Sequence, residues 1–194
     1  VTLSSLMPRS SEMTVPPVAP GVIGAAYIDA VQKMLRRVDA EESEKLARIA
    51  TWVREAQANG KHCYMYCMGH LLPEELKTSE IGKMFTVAVW NAGFRGQTVP
   101  DDTYAEGDVC LHIGYQHPPR ELLKKARAAG AKVGYVSVLS DRDYVKDEGV
   151  VWIDPMWDWP DACVEIPGYD IPVLPASSVV NGAIAWEIFR LSSM

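Results

Sequence analysis

The fold is decided by residues 107–139, which read GDVCLHIGYQHPPRELLKKARAAGAKVGYVSVL. The apolar run Val109–Ile113 has the length of a buried strand, and residues 132–139 have the same character. Between them, residues 118–129 carry proline in the first turn of a predicted helix, and Gly130 ends that helix. A strand, a helix and a second strand in this order predict two parallel strands joined by a crossover helix.

The segments on both sides of this unit continue the alternation. Apolar and aromatic residues predict further strands over 62–67, 85–90 and 150–153. Helices are predicted over 73–79 and 177–190. Such alternation predicts an α/β fold, in which a doubly wound parallel sheet of about five strands forms the middle of a three-layer α/β/α sandwich.

The first part of the chain carries a helical pattern without strands. Residues 25–59 place apolar side chains on stripes of helical spacing, and Gly60 ends the pattern. Asp39 and Glu42 have the spacing of a capping box, which predicts that a second helix begins there. We therefore expect an N-terminal helical segment that packs as a hairpin or as a dimer element.

The size of the chain favours a single domain. Residues 1–21 are rich in proline, serine and threonine and lack periodicity, which is typical of an extended arm. The chain has 194 residues, of which 48% are hydrophobic, and this is enough for one substantial core. Residues 22–194 are thus predicted to form one domain.

Charge and cysteine usage restrict the partners and the compartment. The chain has 25 acidic and 19 basic residues and no basic run, which disfavours binding to nucleic acid or to an anionic membrane. Its apolar stretches fall short of the roughly 18 residues of a membrane span. The four cysteines lie in strand-like stretches, where reduced, buried thiols are expected. These features favour a soluble, cytoplasmic protein.

Ligands of open parallel sheets bind beyond the carboxyl ends of the strands, where loops lead into helix N-termini. Four segments of this chain occupy such positions, and their backbone donors are expected to converge on one edge of the sheet. The predicted ligand-binding residues are Gly69, His70, Gly114, Tyr115, Gln116, His117, Ser140, Ser177 and Ser178.

A resemblance to a known family rests on the order of several motifs. Residues 64–70, followed by Glu74, Glu75 and Leu76, resemble the first strand, glycine-rich loop and Glu-Leu helix of the sugar isomerase (SIS) domain family. Residues 107–114 resemble its second strand. The later matching segments are residues 130–137, 161–166 and 175–183. The resemblance implies a phosphosugar-binding α/β domain, and it points to the phosphoheptose-isomerase branch of the family.

The departures from the family pattern concern its phosphate-binding hydroxyls. Cys67 and Leu71 stand where glycine and serine are expected, and residues 113–117 replace a Ser-x-Ser-Gly loop. His70 and His117 are expected to replace the missing serines as polar contacts, binding phosphate more strongly below about pH 6.5, where imidazole becomes cationic. The sequence thus favours a binding protein for a sugar or sugar phosphate that is non-catalytic or regulatory.

An aldose-ketose isomerase is the alternative. Glu75 aligns with the glutamate that acts as base in the phosphoheptose isomerase branch, so the resemblance implies a catalytic role for it. A carboxylate in the first turn of a helix is also favourable without catalysis. The late histidine that partners the base in that branch is absent, because no histidine follows His117.

The histidines, cysteines and tryptophans of the sequence bear on metal binding and on assembly. The spacing of Cys67 and His70, and of His112 and His117, matches no zinc pattern, so neither metal nor cofactor is predicted. The tryptophan-rich stretch 152–159 is expected to form a subunit contact or a wall of the site. SIS domains commonly pair, which implies a homodimer or homotetramer.

Overall fold

The computed structural model describes residues 17–68, 72–89, 103–115, 119–138, 149–158 and 161–194. Within these ranges, the strands are β1 (Cys63–Cys67), β2 (Thr86–Val89), β3 (Val109–Ile113), β4 (Lys132–Val136) and β5 (Val150–Ile153). The helices are α1 (Val22–Ala58), α2 (Leu72–Thr78), α3 (Ile81–Met84), α4 (Arg120–Ala128) and α5 (Ser177–Ser192).

The five strands of the described residues form one parallel sheet in the order β2-β1-β3-β4-β5. From β1 the chain moves outward to β2, crosses back to β3 and then proceeds to β4 and β5. The direction of winding therefore reverses between β1 and β3, which is the topological switch point of a doubly wound sheet. The predicted α/β fold class is confirmed.

Helices cover both faces of the sheet, which explains why the central strands are buried along their whole length. Val109, Leu111 and Ile113 belong to the larger hydrophobic cluster, which also contains residues of α1, α2 and α5. Cys110 belongs to the smaller cluster on the opposite face, where Leu123 of α4 packs. Alternation along β3 places His112 on that second face as well.

The prediction of a helical hairpin before β1 is wrong. A single helix of 37 residues, α1, runs without interruption past Asp39. Glu42 is only 5% exposed, and its carboxylate accepts a hydrogen bond from Lys45 Nζ at 2.6 Å. Glu42 therefore belongs to the buried stripe of α1, where the charge of Lys45 offsets its own, and it does not cap a helix. As predicted, the helix ends before Gly60, whose φ of 64° suits glycine.

The bounds of the other described elements agree with the sequence patterns to within a few residues. Among the described helices, α3 is the one that the patterns missed. It follows α2 through a tight turn in which Ser79 Oγ donates to Leu76 O at 2.9 Å and accepts from Ile81 N at 3.2 Å. Four residues are too few to show a helical period. No helix in the described part of the chain is long and apolar enough to span a bilayer.

Candidate functional site

The carboxyl ends of β1 and β3 lie side by side at the switch point. The pairing of β1 with β3 continues beyond β1, since Met68 N donates to Ile113 O at 2.9 Å, and Gly114 N donates to Val136 O of β4 at 3.0 Å. A Cβ on Gly114 would lie 2.7 Å from Met68 Cβ, which is too close for any side chain. We call the edge of the sheet between these two strand ends the β1/β3 crevice. It is closely packed at Gly114, where only backbone fits.

Tyr115 connects this edge of the sheet to the start of α5. Ser177 Oγ lies 3.0 Å from Tyr115 Oη and 2.6 Å from Asp161 Oδ2, and each contact is a hydrogen bond. Burial raises the pKa of Tyr115, so the phenol stays protonated near neutral pH. Two of the predicted site residues, Tyr115 and Ser177, are therefore adjacent although they are far apart in the sequence.

Asp161 occupies the amino end of α5. Its Oδ1 accepts hydrogen bonds from Ala176 N at 3.0 Å and from Ser177 N at 2.9 Å. A carboxylate is favourable there because the first amides of a helix lack intrahelical partners and carry partial positive charge. These donors and the Ser177 hydroxyl are already engaged, so a phosphate at this helix end would have to displace Asp161.

Two tryptophans of the stretch 152–159 have different places in the fold: Trp157 lies in the core and Trp152 in β5. Trp157 is 2% exposed, its Nε1 donates to Asn181 Oδ1 at 3.1 Å, and its ring packs edge-on against Tyr115. Trp157 thus packs against the Tyr115 ring, and because it is buried it cannot contact another subunit. Trp152 lies in β5 and donates to Ser137 O at 2.9 Å, while Trp159 lies outside the described residues.

Several of the predicted contacts fall outside the described residues, namely Gly69, His70, Gln116, His117 and Ser140. Ser178 is half-buried in the first turn of α5. Cys63, Cys67 and Cys110 are buried thiols, and Cys163 is half-buried. Burial raises the pKa of Cys67 to about 12, which leaves it without thiolate character at neutral pH. Among the described residues, no three metal-ligating side chains come together.

Comparison with known proteins gives a likeness of fold. No protein-family model matches the chain, and no curated protein sequence matches it significantly. A hypothetical protein from Methanococcus jannaschii, whose structure was taken to infer a molecular function of 3-hexulose-6-phosphate isomerase, has a TM-score of 0.51 at 10% identity. The match covers 86% of this chain and 89% of that one. This chain has an SIS-like fold.

A second solved structure covers a smaller share of its own chain. The C-terminal domain of glucosamine-fructose-6-phosphate aminotransferase from Francisella tularensis matches with a TM-score of 0.47 and 11% identity. The match covers 85% of this chain but only 43% of that chain. Because the identities are this low, the residues of the site are judged from their own geometry.

The SIS-like fold places Glu75 away from the Tyr115–Ser177 pair. Glu75 lies in the first turn of α2, is exposed, and accepts a hydrogen bond from Trp186 Nε1 at 3.3 Å. Trp186 lies on α5 roughly two and a half turns, about 13 Å, beyond Ser177. The described residues therefore do not bring Glu75 into contact with the hydroxyls at the start of α5.

Two residues of this edge were missed by sequence reasoning. Asp161 contacts α5 from a loop, and no spacing in the sequence reveals that pairing. His112 was predicted only as a strand residue, yet it is fully buried, and burial lowers its pKa to about 3 while the backbone of Tyr66 opposes that shift in part. A histidine inside an apolar strand was the available signal, because such a residue has to find a polar partner or stay neutral.

Proposed function

We propose that this chain binds a small sugar phosphate in the β1/β3 crevice and does not isomerise it. The observation that carries the proposal is the reversal of strand order at this crevice, the position where open α/β sheets bind their ligands. Met68 and Gly114 directly follow the two strands there, and their close packing leaves only backbone at Gly114. The SIS-like fold of sugar-phosphate proteins supports the same class of ligand.

The non-catalytic part of the proposal rests on the position of Glu75. Isomerisation of a sugar phosphate needs a base within hydrogen-bond reach of the carbon next to the carbonyl. Glu75 is exposed and hydrogen-bonded to Trp186, whereas the hydroxyls of Tyr115 and Ser177 lie at the other end of α5. This arrangement favours binding over proton transfer.

Thermal unfolding in the presence of defined ligands tests the binding proposal. We expect D-fructose 6-phosphate or D-glucosamine 6-phosphate to raise the Tm, because a ligand that binds only the folded state stabilises it. Inorganic phosphate and free fructose serve as controls and should give smaller shifts. A Tm that no sugar phosphate changes at millimolar concentration would contradict the proposal.

Proton exchange tests the non-catalytic part and the alternative of an isomerase that uses Glu75 as base. In D2O we expect no enzyme-dependent incorporation of deuterium at the carbon next to the carbonyl of fructose 6-phosphate. Incorporation that is lost in Glu75→Gln and retained in Glu74→Gln would instead establish the isomerase. Glu74 is the matched control because it is an exposed glutamate in the same turn of α2.

We further propose a cytoplasmic protein that assembles as a homodimer or homotetramer. The buried thiols of Cys63 and Cys67 are compatible with a reducing compartment. The acidic net charge of -6 makes nucleic acid and anionic membranes unfavourable partners. The expected partner is thus a small molecule.

A further inference from the structure

A chain of hydrogen bonds joins Tyr115 to Asp161 through Ser177. Ser177 Oγ lies 2.6 Å from Asp161 Oδ2 and 3.0 Å from Tyr115 Oη. Ser177 is 2% exposed, whereas Tyr115 and Asp161 are each half-buried. Trp157 packs edge-on against the Tyr115 ring, with the ring centroids 5.5 Å apart. The chain of hydrogen bonds thus runs from a loop residue, through the interior, to the residue that follows Gly114 at the carboxyl edge of the sheet.

The carboxylate sets the direction of these hydrogen bonds. At neutral pH an aspartate carboxylate is ionised, has no proton and acts only as an acceptor. Asp161 Oδ1 accepts from Ala176 N at 3.0 Å and from Ser177 N at 2.9 Å. The proton between Asp161 Oδ2 and Ser177 Oγ must then belong to Ser177, and 2.6 Å is a typical distance for a hydroxyl that donates to a charged oxygen. Because Ser177 has one hydroxyl proton, it can only accept from Tyr115.

The single hydroxyl proton of Tyr115 is consequently directed into the protein. Burial raises the pKa of Tyr115 and the charge of Asp161 adds to that effect, so the phenol keeps its proton at neutral pH. With this proton used toward Ser177, any other group that contacts Tyr115 Oη has to donate a hydrogen bond to it. A hydroxyl or an amino group of a sugar can donate, whereas the dianion of a phosphate ester has no proton to give.

We infer that Asp161, acting through Ser177, makes Tyr115 Oη an acceptor that binds a hydroxyl or amino group of the sugar and does not contact its phosphate. The inference rests on the proposed function and deepens it, because it states which part of the sugar phosphate lies beside Tyr115. Asp161 is a positioning residue in this arrangement, and Tyr115 is the residue that contacts the ligand.

The substitution Asp161→Asn should reverse the direction of the hydrogen bonds. Asparagine has the shape of aspartate, so its oxygen can keep the amides of Ala176 and Ser177 while its NH2 group takes the place of Oδ2. That NH2 group donates to Ser177 Oγ, and Ser177 then donates to Tyr115. The proton of Tyr115 turns outward, so Tyr115 becomes a donor that an acceptor-only anion such as sulfate can use.

Calorimetric titrations of the full chain with fructose 6-phosphate and with sulfate test the inference. We expect Tyr115→Phe to weaken the binding of fructose 6-phosphate by about ten-fold, because one hydrogen bond is lost. Asp161→Asn should strengthen the binding of sulfate by about ten-fold, and the double variant with Tyr115→Phe should lose this gain. The control Asp170→Asn removes an exposed carboxylate from the same segment and should leave both affinities unchanged.

The dependence on Tyr115 separates a reversed hydrogen bond from a simple loss of charge. A gain in sulfate affinity that persists in the double variant would show that only the charge matters, and it would overturn the inference, as would the absence of any gain. Binding of fructose 6-phosphate that Tyr115→Phe leaves unaltered would also overturn the inference, while the proposed function would stand. Absence of all binding of fructose 6-phosphate to the wild-type chain would overturn the proposed function itself.

Discussion

Burial of His112 makes the stability of this protein depend on pH. The pKa of His112 is about 3 in the folded chain, against about 6.5 for an exposed histidine. The unfolded chain therefore binds a proton that the folded chain excludes. The stabilising effect of a neutral His112 is complete above about pH 6.5 and is lost as the pH falls toward 3.

This linkage predicts a stability difference that urea unfolding can measure. Between about pH 7 and about pH 5, His112 should lower the free energy of unfolding by about 2 kcal/mol. The substitution His112→Phe removes this contribution and should flatten the pH dependence by that amount. The control His62→Gln changes an exposed histidine and should leave the slope unaltered. Equal slopes in wild type and His112→Phe would show that His112 is not the group responsible.

The charge of Asp161 should stabilise the amino end of α5. Its carboxylate accepts the Ala176 and Ser177 amides from a backbone with φ of 65°, a left-handed conformation that asparagine tolerates well. Asp161→Asn keeps an acceptor and the backbone but removes the charge from the helix end. We expect a loss of about 1 kcal/mol in the free energy of unfolding at neutral pH. The exposed Asp170→Asn is the control, and an equal effect of both variants would contradict the role of Asp161.

In helix α1, burial of apolar residues outweighs the local capping signal at Asp39. The Asp39 and Glu42 spacing predicted a new helix, but the buried stripe formed by Val38, Glu42 and Leu46 continues through that point. Packing against the sheet stabilises a continuous helix more than a cap would stabilise a break. A capping signal is a local pattern, whereas burial depends on residues far away in the sequence.

Two glycine-to-alanine substitutions, one in α3 and one in α1, should have opposite effects on stability. A Cβ on Gly82 would lie 2.1 Å from Lys77 O, and this backbone oxygen cannot move without breaking the turn. Gly82→Ala should therefore destabilise the chain by at least about 2 kcal/mol. Gly24 lies in α1 with open space around it, so Gly24→Ala should stabilise the helix by about 0.5–1 kcal/mol. Urea unfolding of both variants measures the two effects, and a neutral Gly82→Ala would refute the close approach.

The strands were predictable from sequence because their signal is local. Val109–Ile113 and Val150–Ile153 are apolar runs of strand length, and the structure has strands over these same residues. The contacts of Tyr115 with Ser177, and of Ser177 with Asp161, depend on how separate elements meet. The alternation of strands and helices predicted that residues of different loops lie at one edge of a parallel sheet, but it could not identify the carboxylate at the start of α5.

Exposed apolar residues on α1 and α5 favour self-association of the whole chain. Ile28 on α1 and Val179 and Trp186 on α5 are exposed in the single chain. Light scattering at high micromolar concentration should give two or four times the chain mass of 21.4 kDa. Ile28→Lys should shift the mass toward the monomer, because a charge at an apolar contact is unfavourable. Gln32→Lys adds the same charge at an exposed position of α1 and is the control, and a wild-type monomer would contradict the prediction.

We propose that a sugar phosphate binds at the β1/β3 crevice. The most direct test is a map of backbone amide chemical shifts during titration with fructose 6-phosphate. The largest changes should lie at Met68, Gly114 and Tyr115, just beyond the ends of β1 and β3. Saturable changes centred on the opposite edge of the sheet, around Lys61 and Lys132, or no changes at all, would contradict it.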